Sequence, residues 1–149
     1  MSDVLLTSLD KGAIESLEGL LLQLPPADIQ IIHTFVPGLY IREMRVKANT
    51  YVLGHEHLGD HFNVLLKGSL DILSGSEEEV INLSAPLNFV ASAGVRKLAK
   101  FHEDSVWLNV MPNPDDERDI EKLDARFVKM SPTFLTHQKN LTEALPPSN

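Results

Sequence analysis

Between Leu9 and Leu24 apolar residues fall at Leu9, Ala13, Ile14, Leu17, Leu20, Leu21 and Leu24, a three-to-four spacing that predicts one amphipathic helix. Ser8 is placed to cap its start. Pro25-Pro26 ends it, because the first proline restricts the residue before it. From Ile29 onward the texture changes to short β-rich runs separated by turn residues. Strands are predicted near 29–35, 39–46, 50–55, 61–67, 69–73, 79–83, 87–91, 95–100 and 105–110, with breaks such as Pro37-Gly38, Lys67-Gly68, Ser74-Gly75-Ser76 and Ala93-Gly94. Many short strands at nearly even spacing imply a sandwich or a closed barrel. Asn113-Pro114 then predicts a second helix, with Asp115, Asp116 and Glu117 near its positive end and Ile120, Leu123 and Phe127 on one face. Beyond Met130 the chain is polar with scattered apolar anchors and reads as an extended tail packing on the barrel or on a partner. Three parts follow: a helical segment at 1–28, a β-rich sandwich or barrel at 29–112, and a C-terminal helix and tail at 113–149.

Composition narrows the class. With 43% hydrophobic and 23% charged residues in 149, the chain is that of an ordinary globular domain able to bury a core without staples. No run approaches the ~20 apolar residues that span a bilayer, and no secretory leader pattern opens the chain, so a cytoplasmic or virion setting is expected. A net charge of −8 argues against phosphate neutralisation and hence against nucleic acid. The acidic polar side of the first helix argues against membrane attachment. Absence of cysteine excludes disulfides, thiolate metal sites and a cysteine nucleophile. Glu77-Glu78-Glu79 reads as a solvated hairpin tip. No Gly-rich phosphate loop or G-x-S-x-G elbow is present.

The segment Asn49–Gly68 holds the densest chemistry. On an extended strand His55 and His57 project to one face, and His61 has the same parity across a turn at Leu58-Gly59-Asp60. Three converging imidazoles are a plausible first set of ligands for Zn, Fe or Mn. Asp60 is a turn residue or a carboxylate that orients His61 from behind. His102, Glu103 and Asp104 read as a solvated turn, Trp107 as core, and His33 and His137 as structural or exposed.

The spacing resembles the first motif of the cupin superfamily, G-x5-H-x-H-x3-E-x6-G. It is matched at Asn49, His55, His57, His61 and Gly68, with Asn49 for the first glycine and His61 for the glutamate. Asparagine tolerates the left-handed backbone that a turn glycine supplies. The second cupin motif is poorer: aligned on Gly94, its proline falls at Ser92, its histidine at Lys97 and its asparagine at Phe101. Lys97 thus stands where the family places its last metal ligand, and an ammonium repels a divalent ion. It either contacts an anionic group of a ligand, forms a Schiff base if desolvated, or pairs with an acid at the barrel rim. Three further runs, 35–44, 94–97 and 103–110, resemble small cupin-like proteins of tailed bacteriophages. In that group the histidine strand has the form G-x-x-H-x-x-(E/D)-H-x-N, matched at Gly54, His57, Asp60, His61 and Asn63.

The resemblance implies a mainly β fold: a single cupin-type jelly-roll barrel with an N-terminal helix, a short C-terminal helix and an extended tail. It implies a homo-oligomer or larger assembly, in the host cytoplasm or the virion. The first functional expectation is a non-enzymatic binding or structural module, virion-associated, with a degenerate metal site and a small polar ligand in the barrel mouth. The alternative is a metal-dependent enzyme of isomerase or dioxygenase type, acting on a small polar metabolite or sugar. His55, His57 and His61 would then hold one divalent metal, whereas the first reading allows none.

Overall fold

A computed structural model describes residues 11–24, 27–73, 80–94 and 96–144. Ser8, Pro25-Pro26, residues 74–79 with the tip expected at Glu77-Glu78-Glu79, Val95 and the last five residues lie outside the described residues. In chain order the elements are α1 (Lys11–Gln23), β1 (Ile29–Val36), β2 (Gly38–Val46), β3 (Thr50–Leu53), β4 (Glu56–His57), β5 (His61–Lys67), β6 (Ser69–Leu73), β7 (Val80–Ser84), β8 (Leu87–Ala91), β9 (Leu98–Phe101), β10 (Ser105–Asn113), α2 (Ile120–Phe127), β11 (Val128–Lys129) and α3 (Pro132–Ala144).

The strands form a five-stranded sheet, β1-β2-β10-β5-β8, a four-stranded sheet, β3-β9-β6-β7, and the short pair β11-β4, all antiparallel. The two larger sheets face one another. Val46, Leu65 and Trp107 from the first meet Leu70, Ile72, Leu83, Ala99 and Phe101 from the second in one buried cluster. Two-residue alternation dictates this: on β5, His61, Asn63 and Leu65 are buried while Phe62 and Leu66 are exposed. Each fully buried Leu or Ile contributes roughly 1.5–3 kcal/mol. A mainly β jelly-roll barrel with short helices is the observed fold, as the resemblance implies.

Two of the positive-φ residues sit at turns beside the buried cluster. Asn49 sits at φ +64°, the left-handed backbone expected of it, and its N–H donates to Phe101 O at 2.7 Å. Gly68 at φ +97° lies so close to Ser105 that a Cβ would stand 1.9 Å from Oγ.

The C-terminal part departs from expectation twice. The second helix begins at Ile120, not at Pro114, because the Asn113 side chain builds a loop instead: Nδ2 donates to Glu117 O and Oδ1 accepts from Glu117 N. Asp119 is the cap, its carboxylate accepting from Glu121 N at 3.0 Å. The stretch read as an extended tail is helical over α3. Ser131 Oγ accepts from Phe134 N, Ser131 O accepts from Leu135 N, and Pro132 occupies the first helical position, where a missing N–H costs nothing.

Candidate functional site: a barrel cavity around Lys97

A cavity of about 370 Å³ opens inside the barrel. Its wall is mostly apolar, including Ile31, Met44, Leu70, Ile72 and Trp107, with polar groups supplied by Arg42, His55, His57, Lys97, Asn109 and Asp124. Gly54, His55, His57, Lys97, Val128 and Met130 complete the lining, and the segments that carry them are knitted by backbone. Gly54 N–H donates to Lys97 O, Gly94 N–H to His57 O, and Leu58 N–H to Phe127 O, at 3.0, 2.8 and 2.9 Å. Asp60 acts as a turn clamp, accepting from Ala93 N–H at 3.0 Å.

The three histidines do not converge. Strand pairing lapses at Gly54-His55, and β4 restarts against β11 rather than β9. The parity that would have aligned His55 with His57 is broken there. His57 and His61 stack, ring centroids 3.7 Å apart and planes inclined by 11°. His55 instead makes a T-shaped contact with Phe134 at 4.6 Å. A metal held by two imidazoles lies in both ring planes, about 2.0–2.1 Å from each nitrogen. Stacked, nearly parallel planes do not meet at such a point. Among the described residues no three His, Asp or Glu are grouped to hold an ion. As arranged, His55, His57 and His61 do not fit a three-histidine metal centre.

Burial disfavours the charged form of all three imidazoles. His57 is pushed down to about 3 by desolvation and then by the charge environment of His61 and Lys97. His55 and His61 are lowered for the same first reason. His61 Nδ1 lies 3.1 Å from Gly59 O. Buried His55 Nδ1 and His61 Nε2 have no hydrogen-bond partner among the described residues.

Lys97 lines the same cavity. Its Nζ donates to Asn63 Oδ1 at a long 3.3 Å and stands 5.5 and 5.3 Å from the ring centroids of Phe89 and Trp107. No carboxylate among the described residues forms an ion pair with it. Desolvation alone draws its pKa from 10.5 down to about 8. The lysine–acid pair at the rim, the plainer sequence reading, is therefore not what forms. Asn63 Oδ1 also accepts from Trp107 Nε1 at 3.1 Å and Asn109 Nδ2 at 2.6 Å, which fixes the wall around the ammonium.

Neighbouring Arg96 leaves the chain toward the helices. It donates through Nε to Gly54 O at 2.8 Å and pairs with buried Glu18 of α1 at 2.8 Å. Ser131 Oγ donates to the same carboxylate. Burial alone would raise Glu18, but the hydrogen bonds from Arg96 and Ser131 and the guanidinium charge outweigh it and hold the carboxyl below its usual value. One acid thereby ties α1 to the segment just before β9, which carries Lys97, and to the start of α3.

Sequence reasoning passed over Glu18, Arg42, Arg96, Asn109 and Asp124. Arg42 and Asn109 carried a usable signal: each shares the inward parity of core neighbours, Tyr40 and Met44 on β2, and Trp107 and Met111 on β10. His102 pairs with Asp71 at 2.8 Å and His33 bonds Tyr40 at 2.7 Å, both away from the cavity lining.

No protein-family model and no curated protein matches the chain. Among solved structures it is similar to KdgF from Halomonas sp., at 20% identity, TM-score 0.49, over 66% of this chain and 90% of that one. It is similar to a putative acetylacetone dioxygenase from Methylibium petroleiphilum, at 21%, 0.46, over 60% and 69%. A cupin domain from Bordetella pertussis matches at 12%, 0.47, over 60% and 98%. Identity at this level carries no activity, ligand or partner across. None of the helices among the described residues is long and apolar enough to cross a membrane.

Proposed function

We propose that this protein is a non-enzymatic, ligand-binding barrel. Its cavity takes a small molecule with an apolar body and one oxygen-bearing end, carboxylate or carbonyl, seated at Lys97. The observation that carries this reading is an ammonium lining a mostly apolar cavity with no carboxylate of the described residues within ion-pairing distance. Burying an unpaired charge costs several kcal/mol. A ligand oxygen at Nζ relieves that cost, while the apolar wall takes up the rest of the molecule. The proposed ligand is more apolar than the small polar molecule expected from the sequence, because Ile31, Met44, Leu70 and Ile72 line the site. Hexanoate is a simple probe: it should raise the melting temperature of the wild-type chain and not that of Lys97→Met. Absence of any shift in the wild type at millimolar hexanoate sinks the reading.

A homodimer belongs to the same proposal. Across the outer face of the five-stranded sheet, Ile41, Val110, Phe62 and Val90 fall in one cross-strand row, beside exposed Leu66. An apolar row of this kind marks an interaction surface. Sedimentation of the wild type against Val90→Glu tests it, with a monomer in both cases as the refuting result. Assembly into a phage particle is supported by the three phage-like sequence runs, and the protein should then co-purify with virions.

A further inference from the structure

We infer that Lys97 is a nucleophilic amine that captures small aldehydes with an apolar body as a reversible imine inside the barrel cavity. This rests on the proposed ligand-binding reading and names the chemistry of its polar end. Three features of the structure converge on it. The amine faces a space large enough for a small ligand, with Gly54, His55 and Trp107 in the same lining. It is unneutralised by any carboxylate among the described residues and makes one long hydrogen bond, to Asn63. Its flanks are the rings of Phe89 and Trp107, which exclude water from the bond that would form.

Desolvation supplies the reactive form. With the pKa brought down to about 8, roughly one Lys97 in ten is neutral at pH 7, against about one in three thousand for an ordinary lysine. Exposed lysines such as Lys67, Lys122 and Lys139 have no such environment. The neutral Nζ adds its lone pair to the aldehyde carbon, and the carbonyl π electrons move to oxygen, which takes up a proton. The resulting carbinolamine loses its hydroxyl, with a second proton, as water, leaving a C=N bond to Nζ. No electrons change hands, so no oxidant or reductant is required. His57, pushed down to about 3 by burial, adds no positive charge against the iminium.

The test treats the wild-type chain with hexanal and cyanoborohydride at pH 7. The hydride donor reduces any iminium to a stable secondary amine, and peptide mass mapping locates it. Modification at Lys97 at least about tenfold faster than at Lys67, Lys122 or Lys139 is expected. The Lys97 rate should level off above about pH 8, its excess shrinking from there as the exposed lysines lose their protons, and the excess should be blocked by excess hexanoate and vanish in Lys97→Arg. Modification at Lys97 no faster than at the exposed lysines overturns the inference, as does an excess that hexanoate fails to block, because the reaction would then lie outside the cavity. Hexanoate stabilisation without trapping at Lys97 overturns the imine and leaves the ligand-binding reading standing. Neither stabilisation nor trapping overturns both.

Discussion

Replacing Lys97 by methionine should make the protein more stable at neutral pH, although it deletes a side chain that lines the cavity. The stem is retained and the charge is removed. A fall in pKa from 10.5 to about 8 corresponds, at ~1.4 kcal/mol per unit, to about 3 kcal/mol spent on holding the ammonium in the folded state. Phe89 and Trp107 return part of that through their ring faces, roughly 0.5–2 kcal/mol. The expected net gain for Lys97→Met is therefore about 1–3 kcal/mol at pH 7. The sign with pH follows from proton binding. Between about pH 8 and 10.5 the unfolded lysine is protonated and the folded one is not, so wild-type stability rises with pH across that window. The variant lacks this slope. Urea unfolding of both proteins at pH 7 and pH 9.5 should show the advantage shrinking by half or more. A variant less stable than wild type at pH 7, or an advantage unchanged at pH 9.5, would refute the reasoning.

Three further outcomes follow from the same geometry. Glu18→Gln should cost about 3 kcal/mol at pH 7, because it leaves Arg96 buried without its anion. Since Glu18 is held below its usual value, its contribution is present above about pH 4.5 and lost as pH falls through the folded value. Unfolding midpoints of variant and wild type should therefore draw together in acid. Gly68→Ala should prevent folding or cost several kcal/mol, since its Cβ would stand 2.8 Å from Ser105 Cα as well as clashing with Oγ. Gly94→Ala, at φ +82° with no atom within 4 Å, should cost only about 1–2 kcal/mol when the two are compared by thermal melts. Asn63→Asp places a carboxylate within reach of Nζ, so the Lys97 titration should move back up toward 10.5 and hexanoate binding should weaken, read by NMR and calorimetry.

Much of the barrel was legible because two-residue alternation is kept on β5 and β10, and Asn49 turns where its residue type predicts. The histidine geometry was not. Parity counting assumes an unbroken strand, and pairing lapses at Gly54-His55 before resuming at Glu56 against β11, a partner more than 70 residues away in sequence. The helix α3 was missed because its apolar positions are sparse, yet Ser131-Pro132 is a cap signal of the ordinary kind. The motif alignment singled out Lys97, but its burial depends on Asn63, Phe89 and Trp107 arriving from β5, β8 and β10. No local pattern encodes that meeting. The tie from Glu18 to Arg96 spans 78 residues and is equally invisible along the chain.

The most direct test of the central claim is an NMR titration of the Lys97 side chain with and without hexanoate. The account predicts a midpoint near 8 in the free protein, moving upward when the carboxylate binds and stabilises the ammonium. A Lys97 that titrates near 10.5 and ignores hexanoate would contradict it.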